Sequence, residues 1–254
     1  DDLATVGGGQ SNVAWGAGSV VGGGMVNQTR DGHNTIAGGW ANVTTGDYSS
    51  VGGGLYCYAM GQASTVPGGQ ENEARGDHSF AAGFRAKATN DGAFVWADSQ
   101  NIDLDSLVDD SVTFRCLGGV RFLTGAGGAN QMVSWTPGAG AWLFTSDRET
   151  KEGWTPVDTR AVLEKLADLP ITEWNYKGYP QRHVGPTAQD FHAAFPFSDS
   201  DTMLNGLDLD GVSLAAIQGL YEVVKEENAR LRGENEELRN RLSALEQKLG
   251  VAPK

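Results

Sequence analysis

Apolar and polar positions repeat every fifteen residues along the first ninety residues of the chain. A glycine marks each of six copies, and a Val or Ile stands two positions before the marker in the first five copies. The markers are Gly8, Gly23, Gly38, Gly53, Gly68 and Gly83. So short a fixed period indicates a solenoid. We therefore predict a β-roll in which each copy forms two short strands and two turns, with the Val or Ile side chain pointing inward.

The position four residues after the marker predicts how neighbouring coils hold together. It is occupied by Asn12, Asn27, Asn42 and Asn72, with Cys57 in the one exceptional copy. An Asn at a fixed turn position bonds its own backbone or stacks as a ladder. Neighbouring coils should lie about 4.8 Å apart. Since one coil buries little apolar surface, stability should come from stacking and from association of chains.

Between residues 93 and 145 the fifteen-residue period ends and short apolar, aromatic runs replace it. The runs are AFVWAD, SVTFRC, GVRFLT, QMVSW and AWLFT, separated by Gly, Pro, Asn and Asp. Such runs between turn residues predict a small antiparallel β segment. We interpret this segment as a β connector, or neck, that widens or ends the roll.

After residue 146 the pattern becomes helical and charged. Asp158 is a good N-cap for the helix TRAVLEKLADL, which Pro170 should end. ITEWNYKG predicts a short strand and turn, and RHVGPTAQDFHAAF predicts a turn followed by a helix. A long helix follows LDLDG, where we predict an N-cap and turn at Asp210 and Gly211. A calcium loop is disfavoured there because its twelfth position is Gly219 instead of Glu.

The last helix carries heptads, which predict a parallel coiled coil. The first core seam contains Ile217, Val224, Leu231, Leu238 and Leu245, and the second contains Tyr221, Asn228, Asn235, Leu242 and Leu249. Oppositely charged residues five apart, such as Glu227 and Arg232, have the spacing of pairs between parallel helices. A single solvated helix is the alternative, and the heptads alone do not choose between two and three strands.

Composition and charge narrow the range of partners. The chain has 254 residues, 36 of them Gly, and a formal net charge of −13 at pH 7. Binding a nucleic-acid backbone needs a basic footprint, so we predict no nucleic-acid partner. No apolar run is long enough to span a bilayer, so we predict no membrane insertion. Cys57 and Cys116 fit no metal or redox spacing, and we predict no metal and no cofactor.

The candidate chemistry lies where the glycine-rich part of the chain meets the helical part. Ser146 precedes Lys151 by five residues. A neutral lysine amine takes the proton of a serine hydroxyl, which then attacks a carbonyl carbon without His or Asp. Such a pair at a junction suggests that the junction itself is the substrate. The alternative is a helix N-cap, because Ser146 and Glu149 fit the capping box S-x-x-E, and both roles are compatible.

The run VGGGQSNVAWGAGSVVGGG resembles the head repeats of trimeric autotransporter adhesins of the YadA type. The resemblance covers about residues 1–92. It implies a left-handed parallel β-roll, three chains around one axis, and a surface-exposed role in adhesion or as a stalk. A phosphate-binding glycine loop would need a Lys followed by Ser or Thr, or a following helix, and the sequence has neither.

The C-terminal part of the chain closely resembles the endosialidase-type intramolecular chaperones, which are self-cleaving modules of phage tail spikes, tail fibres and related proteins. Five blocks carry the resemblance in order over residues 146–250: SDRETKEGWTPVD, VLEKLADLPITEWNY, RHVGPTAQDF, DGVSLAAIQGLY and the coiled coil. It implies a module that trimerises, guides the folding of the upstream β-structure and then cuts itself off.

The same resemblance implies roles for single residues. Ser146 would be the first residue of the released piece and Lys151 its partner, so the scissile bond would be Thr145–Ser146. Asp147 and His183 are candidate supporting groups. His183 or nearby backbone amides would bind the oxyanion, although we favour a structural role for His183.

The mechanism requires a neutral Lys151, which burial at the junction of a trimer would favour. The chain departs from the family pattern at two positions next to this lysine. Thr150 stands where an apolar residue is usual, and Gly153 stands where Asn is usual.

Together these observations predict a mainly β N-terminal half and an α+β C-terminal chaperone module that ends in a parallel coiled coil. We predict head repeats over 1–92, the connector over 93–145, an auto-processing domain over 146–212 and a long helix with coiled coil over 213–254. The predicted function is a homotrimeric surface or tail-fibre protein whose chaperone cuts itself off. A host-surface receptor or glycan is the candidate partner of the β-roll.

Two other functions remain as alternatives. The first is a non-cleaving trimerisation and adhesion module in which the Ser–Lys pair has decayed. The second is a carbohydrate-acting enzyme, which is disfavoured because the repeats show no paired carboxylates at recurring positions. The predicted location is a bacterial cell surface or a phage virion, and the sequence does not choose between them.

Overall fold

The computed structural model describes residues 3–124, 131–197 and 200–250. The chain divides into two compact units, residues 1–151 and residues 152–254. The predicted regions also include short segments that lie outside the described residues: 1–2, 125–130, 198–199 and 251–254.

Two parallel sheets build most of the first unit. Successive strands alternate between the sheets, so the described residues form a parallel solenoid of about seven turns. The first sheet contains β1 (Thr5–Val6), β3 (Val20–Val21), β5 (Thr35–Ile36), β7 (Ser50–Val51), β9 (Thr65–Val66), β11 (Phe80–Gly83), β13 (Phe94–Ala97) and β15 (Val112–Arg115). The second contains β2 (Val13–Ala14), β4 (Gln28–Thr29), β6 (Val43–Thr44), β8 (Tyr58–Ala59), β10 (Glu73–Ala74), β12 (Ala86–Ala88) and β14 (Leu104–Asp105). The predicted solenoid is confirmed.

The predicted Val and Ile residues lie in the interior of the solenoid except in the first coil, where Val6 is exposed because no coil precedes it among the described residues. Val21, Ile36, Val51 and Val66 are buried, and each pairs in parallel register with the next along the row. Burying one such side chain contributes about 1.5–3 kcal/mol. Each coil supplies few such residues, so the core forms only when coils stack.

The predicted Asn ladder is present and buried. The side-chain oxygen of Asn27 accepts a hydrogen bond from the Asn42 amide at 3.1 Å, and that of Asn42 accepts one from the Cys57 amide at 2.9 Å. Asn42 Nδ2 donates to the carbonyl oxygens of Gly38 and Gly54, both at 3.0 Å. One side chain therefore satisfies three backbone groups, one in its own coil and two in the next.

In the second coil the fold requires the second glycine of the pair, Gly24, more than the marker, Gly23. Gly24 has φ 84°, and a Cβ there would lie 2.2 Å from the Gly39 carbonyl oxygen of the next coil. A Cβ on the marker residue Gly23 would meet nothing within 4 Å. The close approach of neighbouring coils therefore depends on the second glycine.

The sixth coil differs from the regular period. Gln70 forms a parallel bridge with Phe84, fourteen residues further on, whereas the preceding bridges join residues fifteen apart. Gly83 has φ 98° and its carbonyl oxygen accepts from the Gln70 amide at 3.2 Å. Gly83 thus takes the place of the second glycine of a pair, because this coil is one residue shorter.

Partly buried ion pairs hold this shorter coil. Lys87 Nζ lies 2.6 Å from the Glu73 carboxylate, and Arg85 lies 2.6 Å from Glu71. Burial alone raises the pKa of Glu73, but the hydrogen bonds from Lys87 and Arg75 outweigh it and hold that pKa below its usual range.

The prediction of an antiparallel connector is wrong for its first two runs. AFVWAD and SVTFRC form β13 and β15, which continue the first solenoid sheet in parallel pairing from β11. The reason is that the alternate side chains Val95 and Ala97 extend the buried interior by another coil. The other three runs form the predicted antiparallel sheet of β16 (Val120–Thr124), β17 (Gln131–Trp135) and β18 (Leu143–Phe144).

The second unit combines three helices and a hairpin. Its elements are α1 (Thr159–Ala167), β19 (Thr172–Trp174), β20 (His183–Gly185), α2 (Ala188–Ala194) and α3 (Gly206–Leu249). The Asp158 carboxylate caps α1 as predicted, accepting from the Arg160 amide at 3.1 Å and the Ala161 amide at 3.0 Å. The segment before α2 was predicted to be a turn, but it forms β20, which pairs antiparallel with β19.

Helix α3 begins earlier than predicted. Its N-cap is Asn205, whose side-chain oxygen accepts from the Leu207 amide at 3.0 Å. The prediction of an N-cap and turn at Asp210 and Gly211 is therefore wrong, because both residues lie inside the continuous helix. The buried side chain of Val212 favours helix at this point by packing in the core of the second unit.

Helix α3 packs on α1 through its N-terminal half, where Glu226 forms an ion pair with Arg160. A Cβ on the buried Gly219 would lie 2.3 Å from the Thr159 carbonyl oxygen, so the helices approach closely there. The predicted first seam is exposed in the single chain at all five positions: Ile217, Val224, Leu231, Leu238 and Leu245. The coiled coil therefore stays a prediction. Over the described residues, no helix combines the length and apolar character that crossing a bilayer requires.

Candidate functional site

The candidate site begins where β18 ends. The Thr145 amide donates to the Met132 carbonyl oxygen at 3.0 Å, which extends the pairing of β18 with β17 by one residue. The Thr145 hydroxyl accepts from the Met132 amide at 3.0 Å and lies 3.2 Å from the Met132 carbonyl oxygen. Thr145 is fixed to the sheet by its main chain and its side chain, whereas the next residue, Ser146, is exposed.

A single 3₁₀ turn brings Lys151 back to Ser146. The turn spans Arg148–Thr150. The Lys151 amide donates to the Arg148 carbonyl oxygen at 3.1 Å, and the Thr150 hydroxyl donates to the Asp147 carbonyl oxygen at 2.8 Å. Lys151 Nζ lies 2.7 Å from Ser146 Oγ, which is a hydrogen-bond distance. The structure therefore brings together the two side chains that the sequence analysis singled out.

The capping-box interpretation of Ser146 is wrong. The N-cap of the turn is Asp147, whose carboxylate accepts from the Glu149 amide at 3.0 Å. The reason is that the turn starts one residue later than the pattern S-x-x-E suggested. The Ser146 hydroxyl contacts the Lys151 amine instead of a backbone amide. Asp147, named beforehand as a supporting residue, shapes the turn that joins the pair.

The two departures from the family pattern have local explanations. The hydroxyl of Thr150 adds a hydrogen bond to the Asp147 carbonyl oxygen of the 3₁₀ turn, which an apolar residue would lack. Gly153 has φ 69°, a left-handed conformation that Gly adopts freely and that Asn tolerates better than most residues. Both residues are therefore compatible with the local backbone.

His183 lies on β20 in the second unit. Its ring stacks on Trp174 with centroids 4.8 Å apart and meets the Tyr176 ring edge-on at 5.7 Å. This packing gives His183 a structural role in the hairpin. A role for His183 in oxyanion binding stays a prediction.

The chemistry of the site is that of a hydroxyl and an amine. Ser146 and Lys151 are both exposed in the single chain. Among the described residues, no group of three or more His, Cys, Asp or Glu side chains is arranged to hold a metal ion. The arrangement offers a nucleophile, a proton acceptor once the amine is neutral, and a peptide bond directly beside them.

The contact of the Thr145 hydroxyl is not apparent from the sequence, which marks Thr145 only as the residue before the predicted scissile bond. The available signal was a Thr at the end of the run AWLFT, but the run does not reveal that its partner is Met132. That contact depends on the register of β17 and β18, which only the folded sheet fixes.

Residues 146–198 match the model of a peptidase family described as the chaperone of endosialidase. The match covers 53 of the chain's 254 residues and starts at Ser146. No curated protein matches the chain. The matched segment and the parallel solenoid together fit a tail-fibre-like protein with a chaperone domain, and the family implies a peptidase-type domain that cuts itself. The resemblance to YadA-type heads stays a prediction.

Proposed function

We propose that this chain forms a homotrimeric tail-fibre or surface protein whose C-terminal module guides folding and then releases itself between Thr145 and Ser146. The observation that carries the proposal is the 2.7 Å contact between Lys151 Nζ and Ser146 Oγ, at the first residue of the matched segment. The contact lies where the β-structured part of the chain ends. Cleavage there leaves the solenoid and its antiparallel sheet intact.

The cleavage step follows from the positions of three residues. The neutral Lys151 amine removes the proton from Ser146 Oγ as this oxygen bonds to the Thr145 carbonyl carbon. The bond from that carbon to the Ser146 nitrogen breaks, and the nitrogen takes the proton from Lys151, which leaves an ester. Water hydrolyses the ester to a Thr145 carboxylate and a free Ser146 hydroxyl. Well-oriented reactions within one molecule gain up to about 7–11 kcal/mol from proximity.

Assembly supplies the timing of this reaction. Removal of the serine proton requires an amine in its neutral form. Lys151 is exposed in the single chain. Burial of the junction in a trimer favours the neutral amine. The chain therefore stays uncut until three copies have folded together.

Two uncovered apolar surfaces support association of chains. The first is the seam of α3, which includes Leu231 and Leu238 and is exposed along its length. The second is one face of the antiparallel sheet, where the rings of Phe122, Trp135 and Trp142 cluster with centroids about 6 Å apart. Trp135 and Trp142 remain 41% and 42% exposed in the single chain. Large exposed apolar patches mark interaction sites, and both surfaces fit copies of the same chain.

The test is the mass of freshly purified protein, beside the variant Ser146→Ala. We expect two fragments, residues 1–145 and 146–254, from the unaltered chain and one intact chain from Ser146→Ala. Lys151→Met should also stay intact, because it removes the proton acceptor. Ser99→Ala is the matched control, since Ser99 is an exposed serine in the first unit, and it should be cut.

Sedimentation analysis of the Ser146→Ala variant tests the trimer separately. A trimer is expected, and a monomer would contradict the assembly part of the proposal. An uncut chain in every sample, together with a trimer, would contradict self-cleavage and favour the non-cleaving trimerisation and adhesion module. The location at a cell surface or on a virion, and a receptor or glycan for the solenoid, belong to the same proposal.

A further inference from the structure

The Thr145 hydroxyl takes a place in the sheet that a backbone carbonyl normally fills. In an antiparallel sheet, a hydrogen-bonded pair of residues exchanges two N–H···O bonds between main chains. Thr145 and Met132 make the first of these, from the Thr145 amide to the Met132 carbonyl oxygen at 3.0 Å. In the second, the Met132 amide donates at 3.0 Å to the Thr145 hydroxyl. The side chain thus replaces the carbonyl of its own residue as the acceptor.

The carbonyl that is replaced belongs to the bond that we propose is cut. A carbonyl held in a β ladder points at its partner strand and has its lone pair engaged. Attack by Ser146 requires that the carbonyl group of Thr145 be free to turn toward Ser146 Oγ and toward donors that stabilise the oxyanion. Because the hydroxyl of Thr145 accepts the Met132 hydrogen bond in place of the carbonyl, Thr145 stays anchored in the sheet without its carbonyl joining the ladder.

We propose that Thr145 is a positioning residue for self-cleavage, whose hydroxyl binds the Met132 amide and thereby releases the scissile carbonyl for attack by Ser146. This inference rests on the proposed function, because it concerns the same bond. The hydroxyl acts through the backbone and not as an acid, base or nucleophile. When the hydroxyl is removed, the Met132 amide loses its acceptor. The Thr145 carbonyl is the acceptor that a regular antiparallel pair would use, so we expect this carbonyl to turn into the ladder.

The variants Thr145→Val and Thr145→Ser distinguish a role of the Thr145 hydroxyl from a role of the shape of its side chain. Val keeps the β-branched form and the strand preference of Thr but lacks the hydroxyl. Ser keeps the hydroxyl and lacks the methyl group. We expect Thr145→Val to slow cleavage about tenfold to a hundredfold, the effect of a misplaced reacting group, and Thr145→Ser to cut within about threefold of the unaltered chain.

The experiment is cell-free synthesis of the full chain with a pulse of labelled amino acid, followed on denaturing gels as fragments appear. Thr35→Val is the matched control, because Thr35 is an exposed threonine on a solenoid strand and makes no contact with Thr145, and it should cut at the normal rate. The pH dependence should keep its midpoint in Thr145→Val while the rate falls at every pH. A shifted midpoint would mean that the hydroxyl takes part in proton transfer, and this would overturn a positioning role.

The outcomes distinguish this inference from the proposed function. If the unaltered chain is never cut, the proposed function fails and the inference fails with it. If the unaltered chain is cut, and both Thr145→Val and Thr145→Ala are cut as fast as the unaltered chain, only the inference is overturned. Slow cleavage supports the inference when the variant forms the same assembly as Ser146→Ala in size-exclusion chromatography. Thr145→Ala provides that comparison if Thr145→Val does not assemble.

Discussion

Replacing Cys57 with Asn should stabilise the solenoid, because Cys57 interrupts the Asn ladder. The Cys57 thiol lies 3.6 Å from the Gly69 carbonyl oxygen and 3.8 Å from the Leu55 carbonyl oxygen, so its hydrogen bonds are long and weak. A thiol is also a poor acceptor for the Asn72 amide, which follows it in the ladder. Burial raises the pKa of Cys57, so the thiol stays neutral.

The expected gain follows from the geometry of the preceding ladder residue. Asn42 makes two donor bonds of 3.0 Å to glycine carbonyls and accepts one bond of 2.9 Å from the Cys57 amide. An Asn at position 57 would make the equivalent three bonds, each contributing about 0.5–1.5 kcal/mol net. Ordering the longer side chain costs about 1 kcal/mol. We therefore expect Cys57→Asn to raise the free energy of unfolding by about 2 kcal/mol.

Thermal unfolding followed by circular dichroism is the assay. For a chain of this length, about 2 kcal/mol corresponds to a rise in Tm of about 4–8 °C. All samples carry Ser146→Ala and are compared at one protein concentration, so that neither cleavage nor assembly changes the comparison. Cys57→Ala is the control, because it removes the thiol without adding an amide. It should lower Tm.

An unchanged or lower Tm for Cys57→Asn would refute this reasoning. It would mean that the space around position 57 fits the Cys side chain better than Asn, and that an Asn there does not form the hydrogen bonds that Asn42 forms. The matched reverse change, Asn42→Ala, then separates the possibilities. If Asn42→Ala costs several kcal/mol while Cys57→Asn gains nothing, the ladder is stabilising and only position 57 resists it.

Two further predictions concern the solenoid. Gly24→Ala should destabilise it by at least about 2 kcal/mol in denaturant unfolding, because the left-handed φ and the Gly39 carbonyl both oppose a Cβ, whereas Gly23→Ala should change stability by less than about 0.5 kcal/mol. Equal effects of the two substitutions would contradict the assignment of the required glycine. Glu73→Gln should lower Tm at neutral pH. Since the folded pKa of Glu73 lies below its ordinary value of 4.5, the stabilisation is present above that value and is lost as the pH falls through the folded pKa, so the two Tm values should converge in acid. A constant difference down to low pH would show that the ion pair with Lys87 is not its source.

The structure of the glycine-rich N-terminal part of the chain could largely be predicted from the sequence, because this structure is local and repeated. The period placed Val21, Ile36 and Val51 in the interior and Asn27 and Asn42 in the ladder, and all of them lie there. Each inner coil repeats the environment of the one before it, so these positions are buried in successive coils, whereas Val6 in the first coil is exposed. The N-cap Asp158 was predictable for a similar reason, since capping depends on the few residues that follow.

Contacts between neighbouring coils and strands decided what the pattern could not show. Val26 has φ 59°, an unfavourable conformation for a β-branched residue, and its amide donates to the Gln10 carbonyl oxygen of the preceding coil at 2.9 Å. The run AFVWAD looked like a hairpin strand, but stacking on β11 made it part of another coil. In both cases the interaction with the preceding coil outweighs the local conformational preference of the residues.

The candidate site likewise combines features that the sequence predicts with features that only the tertiary structure fixes. The spacing of Ser146 and Lys151 could be read from the sequence, and the single 3₁₀ turn between them is a local structure that brings their side chains together. The cap at Asp147 was misplaced by one residue, since S-x-x-E and the actual turn overlap in sequence. The hydrogen bond from the Met132 amide to the Thr145 hydroxyl needed the tertiary structure, because it joins residues thirteen apart through the register of a sheet. Sequence alone determined which groups stand beside the junction, and the folded sheet determined that the Thr145 hydroxyl accepts the hydrogen bond of the Met132 amide.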